Sequence, residues 1–592
     1  MGDTVAIPAF LGVERSVSGR RWELEAAPER LVRHIAQATG LGDAVARVLA
    51  ARGIPVEGVE DYLNPSLKTA LPDPSHLLDL DKAVARLAAA VADGEGIAVF
   101  GDYDVDGATS SALLVRYFRA LGIDILVHIP DRMKEGYGPN LPAMKKLRDA
   151  GASVIITVDC GITSFDVLDG AADLGLDVIV VDHHAAEPRL PTAWAVVNPN
   201  RLDDPSPHGQ MAAVGVTFLL AIGLNRALRA AGRFKRGGEP DLMALLDLVA
   251  LGTVADVVPL TGINRAFVTQ GLKVMAARRH PGLRALADIA RLEEKPAAYH
   301  LGFLLGPRIN AGGRVGEPGV GARLLSLDDP AEAMALAARL DRWNAERREI
   351  EAACQDEAIR IAESGAGVSD HLVYVSAENW HAGVIGIVAS RLKERYNLPA
   401  CVVARENGTG KGSGRSIGGI DLGAAVIAAR QAGLLQNGGG HRMAAGFTID
   451  LEREVEFRAF LEERIAADAG PGGIVPRLML NGALTPEGAT TRLIEALEQL
   501  APFGAGNPEP RFAFTDVRIS KADVVGSDHV RLFLPGNLKA IAFRCVGQPL
   551  GEALLKAPGG QPLHLAGKLK LDSWQGVERA QLIVEDAASV RR

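Results

Sequence analysis

The chain has 592 residues, a length that accommodates three or four domains of ordinary size. Hydrophobic residues make up 48% and charged residues 23%, as in globular proteins, and no stretch approaches the ~18 uninterrupted apolar residues of a membrane-spanning helix. The net charge of −8 argues against a uniformly basic surface, although metal-binding carboxylates would contribute to it, and the four well-separated cysteines argue against a disulfide framework.

The N-terminal part of the chain is predicted to be helical. Its first residues lack the basic and apolar regions of a signal peptide, so we expect the chain to stay in the cytoplasm and away from membranes. Residues 1–90 then alternate Ala/Leu-rich helical patterns with proline-marked breaks. We therefore predict an N-terminal helical segment over 1–90.

The next part of the chain predicts a doubly wound α/β domain with a parallel sheet. Near-continuous apolar runs alternate with helical stretches, which is typical of strands covered on both faces. The runs are 97–100, 123–129, 154–158, 178–181 and 195–197. We assign this domain to 91–330, with its ligands expected at the carboxyl ends of the strands.

Three further segments follow the first domain. A charged stretch with helical spacing has no internal glycine until Gly365 and predicts a long connecting helix over 331–365. A second, smaller α/β domain is predicted over 366–469, and a glycine-rich linker over 470–473. Short alternating runs then predict a C-terminal β-barrel over 474–592, with an OB-fold as the natural candidate.

Acidic residues follow the strands of the first domain. Asp102, Asp104 and Asp106 come directly after the first strand, Asp159 after the third, and Asp182-His183-His184 after the fourth. Asp256 follows an apolar helix further on. Parallel strands place their carboxyl ends at one edge, so these groups should converge there. Carboxylate and imidazole ligands suit Mn²⁺ or Mg²⁺, with Zn²⁺ or Fe as alternatives. A lone aspartate here could equally cap a helix, but a cluster of carboxylates repels itself without a cation.

These residues resemble the four motifs of the DHH phosphoesterase superfamily. The matching segments are Asp104-Val105-Asp106-Gly107, Asp159-Cys160-Gly161, Asp182-His183-His184 and Ala255-Asp256. The fuller Gly-Asp-Tyr-Asp-Val-Asp-Gly at 101–107 is similar to the RecJ branch. The resemblance continues through 306–314, and through 380–386 and 438–446, which look like the DHH-associated domain (DHHA1).

The resemblance implies a set of metal ligands for two divalent ions, Mn²⁺ or alternatively Mg²⁺. It implies that Asp159 bridges the ions and that His184 contacts the scissile phosphate or protonates the leaving oxygen. Asp102 is a further ligand or an outer partner. The implied ligand set is Asp102, Asp104, Asp106, Asp159, His183 and Asp256.

A second implied site binds the terminal phosphate and the DNA strand. The segment 411–416 offers hydroxyls, a guanidinium and backbone N–H groups in what we predict to be a flexible turn. By resemblance Ser413 and Arg415 hold the 5′-phosphate, and a stacking role for Tyr137 is an alternative to an ordinary loop position. The other expected strand contacts are Arg132, Arg308, Asn310, Arg314 and His441.

Together these patterns predict a metal-dependent exonuclease that degrades single-stranded DNA from its 5′ end and releases 5′-mononucleotides. The resemblance implies roles in recombination and repair, with a single-strand DNA-binding protein and a RecQ-type helicase as partners and a monomeric chain. The barrel carries basic residues interleaved with aromatic ones, which suits single-strand binding. The alternative is a DHH-family phosphodiesterase for short oligonucleotides or cyclic dinucleotides, which would not need the barrel.

Overall fold

A computed structural model of the chain describes residues 8–132, 134–365, 367–470, 473–574 and 577–590, the side chains of 573, 574 and 577 excepted. Residues 471 and 472 of the predicted linker lie outside the described residues. The chain divides into two compact units. The larger unit contains 66–470 and 502–507, and the smaller unit combines the described parts of 1–65 with 473–501 and 508–590.

The N-terminal part of the smaller unit contains one strand and three helices. They are β1 (Arg21–Leu24), α1 (Glu29–Thr39), α2 (Asp43–Ala51) and α3 (Val59–Leu63). The strand was not expected in a segment predicted to be helical. Its hydrogen-bonding partner lies at residues 477–480, so no local pattern could announce it.

The first half of the larger unit alternates helices and strands. Its elements are α4 (Leu67–Ala70), α5 (Leu80–Asp93), β2 (Gly96–Gly101), α6 (Val105–Ala120), β3 (Leu126–His128), α7 (Leu141–Asp149), β4 (Ala152–Val158), α8 (Phe165–Asp173), β5 (Asp177–Val181), β6 (Ala195–Val197) and α9 (Ala213–Ala230).

The five strands form one parallel sheet in the order β3-β2-β4-β5-β6. Successive residues of β2 enter different cores, because side chains alternate between the faces of a strand. Ile97 and Val99 pack in a core with residues of α5, α6 and α9, whereas Ala98 and Phe100 pack in a second core with residues of α7 and α8. The predicted doubly wound parallel sheet is confirmed, although the run 123–129 is extended only over β3.

A helical region and a second α/β domain complete the larger unit. The helices are α10 (Leu246–Ala255), α11 (Gly262–Ala276), α12 (Pro281–Ile289), α13 (Ala298–His300), a π-helical turn (Leu301–Leu305), α14 (Gly306–Val315), α15 (Gly319–Ser326) and α16 (Pro330–Glu363). The second domain contains β7 (Val373–Glu378), α17 (Ile385–Tyr396), β8 (Ala400–Glu406), β9 (Thr409–Arg415), α18 (Leu422–Gln431), β10 (Asn437–His441), β11 (Ala444–Asp450) and α19 (Glu454–Ala469).

The connecting helix and the second sheet match the sequence prediction. Helix α16 runs for 34 residues, and Asp329 caps it by accepting hydrogen bonds from the N–H groups of Ala331 and Glu332. The second sheet has the order β10-β11-β9-β8-β7, in which only the β7–β8 pair is parallel.

Helix α9 is the one described helix that is long and apolar enough to cross a membrane. Of its 18 residues, 72% are buried inside the protein. It packs against α5, α6 and the sheet in the larger core, which explains its apolar composition.

The C-terminal part of the smaller unit is mainly β. Its elements are β12 (Arg477–Leu480), β13 (Ala483–Leu484), α20 (Thr491–Glu498), β14 (Phe512–Val517), β15 (Lys521–Val525), β16 (His529–Phe533), β17 (Lys539–Ala542), α21 (Pro549–Lys556), β18 (Leu563–Trp574) and β19 (Val577–Ser589). Seven strands form one sheet in the order β13-β14-β18-β19-β17-β16-β15.

The N-terminal strand is tied to the C-terminal part of the same unit. Strand β1 pairs in parallel with β12, and Trp22 is fully buried between them and the sheet. The Trp22 indole N–H donates to a carboxylate oxygen of Asp586 at 3.0 Å, and Arg20 pairs with the same carboxylate at 3.3 Å. The buried Asp586 is thus satisfied by residues from the other end of the chain.

This packing predicts that Trp22→Ala destabilises the smaller unit. The loss of a fully buried indole costs ~3–5 kcal/mol, and the lost hydrogen bond to Asp586 adds to it. Denaturant unfolding should show a lower midpoint, and hydrogen exchange should accelerate in β12 and β19. Trp194→Ala, at a side chain that is 42% exposed in the larger unit, is the control. An unchanged midpoint in Trp22→Ala would contradict this account.

Candidate active site

The predicted metal ligands converge at the carboxyl edge of the first sheet. Three groups of residues each bring one ligand atom per residue within 4.8 Å of the others. Asp159 and His183 each belong to two of the groups, so the groups overlap. They are Asp102, Asp104 and Asp159; Asp106, His183 and Asp256; and Asp159, His183 and His184.

His183 lies in the middle of the cluster. Its Nε2 atom is 3.3 Å from Asp159 Oδ1, 3.5 Å from Asp256 Oδ2 and 3.8 Å from Asp106 Oδ2. The side-chain amide of Asn200 donates to the backbone carbonyl of His183 at 2.5 Å and so holds the backbone that carries the imidazole ring. One imidazole therefore faces three carboxylates that come from different elements of the fold.

Helix N-termini position two of the carboxylates. Asp104 caps α6, and its Oδ1 accepts hydrogen bonds from the N–H groups of Asp106 at 2.9 Å and Gly107 at 3.1 Å. Asp106 accepts from the first N–H groups of α9, at 2.6 Å from Ala213 and 2.9 Å from Val214. Both interactions favour the negative charge, because N–H dipoles at a helix start stabilise anions.

Several buried atoms of the predicted ligands lack a hydrogen-bond partner among the described residues. Within the described residues, Asp102 Oδ1, Asp159 Oδ1 and His183 Nε2 are buried and make no hydrogen bond. Asp159 also holds a left-handed backbone with φ 62°, which is uncommon outside glycine and asparagine. Buried polar atoms in proteins nearly always have a hydrogen-bond partner or a bound ion. Divalent cations would supply that partner here, because they bind carboxylate oxygen and imidazole nitrogen atoms.

The protonation of the cluster is strongly perturbed. Burial, together with the neighbouring carboxylates, raises the pKa of Asp106 to about 7 and that of Asp256 to about 9. The same causes hold the pKa of Asp159 well above its ordinary value, while burial lowers the pKa of His183 to about 4. Without cations, Asp159 and Asp256 thus keep their protons at neutral pH, and the His183 imidazole is uncharged, which is the form of His that binds metal.

Asp182, to which the sequence analysis assigned no role beyond its place in the motif, holds the two histidines that follow it. Its Oδ1 accepts from the N–H groups of His183 at 2.8 Å and His184 at 3.1 Å, and lies 2.7 Å from His184 Nδ1. Although burial opposes it, this contact raises the pKa of His184 to about 9. Its position directly before the two histidines was the available signal.

Tyr137 lies beside His184 with its hydroxyl turned into the site. The hydroxyl donates to the backbone oxygen of Asp159 at 3.2 Å and lies 3.4 Å from His184 Nδ1. Its ring is exposed and makes an edge contact with the His184 ring at 6.0 Å.

The segment 411–416 is not the flexible turn that the sequence predicted. Residues up to Arg415 form strand β9, which lies between β8 and β11 in the second sheet. The backbone groups of an interior strand are used by the ladders on both sides, so its N–H groups are not free to bind a phosphate. The side chains of Ser413 and Arg415, two residues apart, lie on the same face of the strand. The Arg415 guanidinium donates to Ser413 Oγ at 3.1 Å.

Three of the predicted arginines form a basic pocket, which we define as Arg132, Arg314 and Arg415. Burial lowers the pKa of both Arg314 and Arg415, and the positive charge of Arg132 lowers it further. The pKa of Arg314 reaches about 10. Arg132 stacks over the ring of Tyr103 at 5.4 Å, next to the acidic cluster. A Cβ atom at Gly386 would lie 3.0 Å from both Ser413 Oγ and Arg415 Nη2, so the glycine keeps space open there. Crowded cations in a buried place suit an anionic ligand.

Three further residues were predicted to contact the strand, namely Arg308, Asn310 and His441. Arg308 donates to Asp341 of α16 at 2.9 Å and to the Leu304 carbonyl at 2.7 Å, so its guanidinium supports the helix packing. Asn310 is half-buried on α14. His441 is exposed at the end of β10.

Part of the basic surface predicted for the smaller unit is neutralised. Lys568 pairs with Glu585 at 3.1 Å, Lys570 with Glu509, and Arg531 with Asp523 at 2.5 Å. The side chain of Trp574, one of the aromatic residues of the barrel, is not among those described.

Three family models match the chain. They are the DHH family N-terminal domain at residues 96–253, the DHHA1 domain at 369–467 and the RecJ OB domain at 480–586. The last match confirms the predicted C-terminal OB-fold.

The chain is similar to proteins of one function along most of its length. It is 38% identical over 558 residues to the single-stranded-DNA-specific exonuclease RecJ of Escherichia coli K12, covering 91% of this chain and 95% of that protein. The structure of RecJ from Thermus thermophilus with Mn²⁺ superposes with a TM-score of 0.81 at 32% identity, covering 96% of this chain and 79% of that one. The structure of the same Thermus thermophilus protein with Mg²⁺ superposes with a TM-score of 0.76 at 31% identity, covering 96% of this chain and 78% of that one.

The geometry predicts that Mn²⁺ raises the melting temperature by an amount that grows with pH. The raised pKa values of Asp106, about 7, and Asp256, about 9, mean that the metal-free fold loses stability as pH rises through them. Cations restore that stability and bind better once protons have left.

Thermal melts with Mn²⁺ and with EDTA, between about pH 5.5 and about pH 8.5, measure this difference. Asp256→Asn should reduce it, whereas Asp149→Asn, at an exposed aspartate of α7, should not. A Mn²⁺ effect of equal size at every pH would show that these carboxylates do not bind the ion.

Proposed function

The chain belongs to the RecJ family of single-stranded-DNA-specific exonucleases, and we propose that it removes mononucleotides successively from the 5′ end of single-stranded DNA. It is a metal-dependent hydrolase of phosphodiester bonds with two divalent ions as cofactors, Mn²⁺ or Mg²⁺. The RecJ OB domain favours this function over that of a short-oligonucleotide or cyclic-dinucleotide phosphodiesterase.

The observation that carries the mechanism is the set of overlapping ligand groups with unsatisfied buried atoms. We assign metal binding to the predicted set, in which Asp159 and His183 each belong to two groups and would help to hold the ions. When bound, two divalent ions supply a nucleophilic water at neutral pH and neutralise charge on the phosphoryl oxygens. The ligand set is Asp102, Asp104, Asp106, Asp159, His183 and Asp256.

His184 supplies the proton chemistry that we assign to the protein. Asp182 occupies its Nδ1 and keeps the imidazole protonated at neutral pH, with a pKa of about 9. The Nε2–H group remains to contact the scissile phosphate or to protonate the leaving oxygen. Tyr137 stands against the ring and the Asp159 backbone, which fixes the position of both.

The basic pocket gives the enzyme its polarity. A terminal phosphate carries close to two negative charges, whereas an internal phosphodiester carries one, so buried guanidiniums favour the terminus. The Ser413 hydroxyl and the guanidiniums of Arg132, Arg314 and Arg415 are the donors, in place of the backbone groups of β9. Fixing the terminus at one distance from the metal ions places the first phosphodiester for attack.

We further propose the cellular setting that family membership supports. The chain acts as a monomer in the cytoplasm during DNA recombination and repair. A RecQ-type helicase supplies single strands, and a single-strand DNA-binding protein works on the same substrate. Asn310 and His441 take part in strand binding at the margin of the site.

Asp159→Asn tests the metal mechanism without disturbing the backbone. Asparagine tolerates the left-handed conformation of residue 159 and has nearly the same shape, but it is a weaker ligand. Hydrolysis of single-stranded DNA with Mn²⁺ should fall by about 10³-fold or more, which corresponds to several kcal/mol of barrier. Asp149→Asn is the matched control. Turnover near that of the wild type would exclude Asp159 from the mechanism.

Arg415→Ala tests the origin of polarity. The wild type should prefer 5′-phosphate over 5′-hydroxyl ends, and loss of a charge-assisted hydrogen bond should reduce that ratio by about 10- to 100-fold. Initial rates on the two ends give the ratio for each variant. Arg430→Ala removes an exposed positive charge from the same domain and is the control. An unchanged ratio in Arg415→Ala would place the selection of the terminus elsewhere.

A further inference from the structure

Two exposed aromatic rings stack on each other at the start of the helical run that leads into α14. Tyr299 is 61% exposed and Phe303 is 70% exposed, and their ring centroids lie 5.0 Å apart at an interplanar angle of 25°. We call this pair the aromatic platform. The mechanism and the terminal phosphate pocket leave it without a role.

The platform is held in place by its own helix. Tyr299 lies in α13 and Phe303 in the π-helical turn that follows, and Leu301 and Leu305 of that turn are fully buried in the core. The His300 ring meets the Tyr299 ring edge-on at 5.7 Å, and His300 is hydrogen-bonded to Glu294 at 2.9 Å. A π-helical turn is rare and is frequently found at functional sites. The two rings are thus exposed on a rigid support.

The same helical run passes the metal ligands on its way to the basic pocket. A Cβ atom at Gly302 would lie 3.5 Å from Val254, and one at Gly306 would lie 3.3 Å from Ala255, the last residue of α10 before Asp256. The run ends near Arg314, which donates to the Gly383 carbonyl at 2.8 Å. Arg314 lies about 16 Å further along the helix than Phe303, at ~1.5 Å per residue.

This order along one helix indicates what the platform binds. The basic pocket lies at one end, the residues beside Asp256 lie between, and the platform lies at the other end. We propose that the platform stacks unpaired nucleobases of the retained strand, on the 3′ side of the scissile bond. The inference rests on the proposed exonuclease function and adds a base-binding subsite to it.

The size and chemistry of the platform favour nucleobases over a protein partner. An aromatic side chain presents about 150–250 Å², so the exposed parts of both rings amount to about 300 Å². A stable protein interface needs about 1,000 Å² or more, whereas a base needs one ring face. Bases inside a duplex already stack on each other, so the platform is open to single strands alone and adds to strand specificity.

The test combines protein variants with abasic DNA. Phe303→Ala with Tyr299→Ala removes both rings, Phe303→Leu with Tyr299→Leu keeps apolar area without an aromatic face, and Phe303→Tyr with Tyr299→Phe keeps both faces. Trp194→Ala is the control, since Trp194 is an exposed aromatic at the start of β6, on the sheet edge opposite the metal ligands. Substrates are 5′-phosphorylated strands, intact or with single abasic sites near the 5′ end, and a 5′-phosphorylated dinucleotide too short to reach the platform.

We expect the ratio of KM on the long strand to KM on the dinucleotide to rise about tenfold in the alanine and leucine pairs, and to stay within twofold of wild type in the Tyr/Phe exchange. Abasic sites at the positions that reach the platform should raise KM for the wild type but add nothing in the alanine pair. An unchanged ratio, or a persistent abasic effect in the alanine pair, would overturn the proposal.

Duplex substrates separate base stacking from steric exclusion. Activity gained on blunt duplex ends with unchanged single-strand KM would mean that the rings block duplexes sterically, which would also overturn base stacking. If the wild type does not degrade single-stranded DNA at all, the proposed function fails instead, and the two failures are therefore distinguishable.

Discussion

Repulsion among buried carboxylates is the constraint on which the rest of the site depends. Asp102, Asp104, Asp106, Asp159 and Asp256 meet at one sheet edge, where burial and proximity raise the pKa values of Asp102, Asp106, Asp159 and Asp256. Such a cluster is stable with its charges intact only if cations lie between the oxygens. The apolar strands and helices around the cluster provide the stability that keeps it together.

The fold prepares each ligand through the backbone. The starts of α6 and α9 bind Asp104 and Asp106, and Asp182 fixes the two histidines after β5 through their N–H groups. Asp159 adopts a left-handed conformation directly after β4. Rigid elements thus hold the ligands before any ion binds, which reduces the entropy lost on binding.

The basic pocket, to which both domains contribute, applies the same principle with the opposite sign. Arg132, Arg314 and Arg415 approach closely enough to lower the pKa of the last two, and a phosphate dianion would relieve their repulsion. Arg314 also bonds to the Gly383 carbonyl of the second domain, and α16 connects the two domains with a continuous helix. The proposed cation site and the proposed anion site therefore both lie within the larger unit, as stepwise cleavage from a terminus requires.

The sequence by itself determined the sheet, the connecting helix and most of the acidic cluster. Apolar runs ending in Asp102, Asp159 and Asp182 suffice, because parallel strands must place their carboxyl ends at one edge. Motif resemblance added Arg314 and the specific roles of Asp256 and Arg415, whose neighbours in space are far away in sequence.

Tertiary structure alone decided the features that depend on distant pairing. Strand β9 lies between two ladders that use its N–H groups, β1 pairs with β12 at the other end of the chain, and Arg308 is taken by Asp341. The exposure of the Tyr299–Phe303 pair is likewise a result of packing, since aromatic residues at helical spacing are equally typical of a core. Local periodicity indicates which face of a helix or strand is apolar. Which other element packs against that face depends on the path of the whole chain.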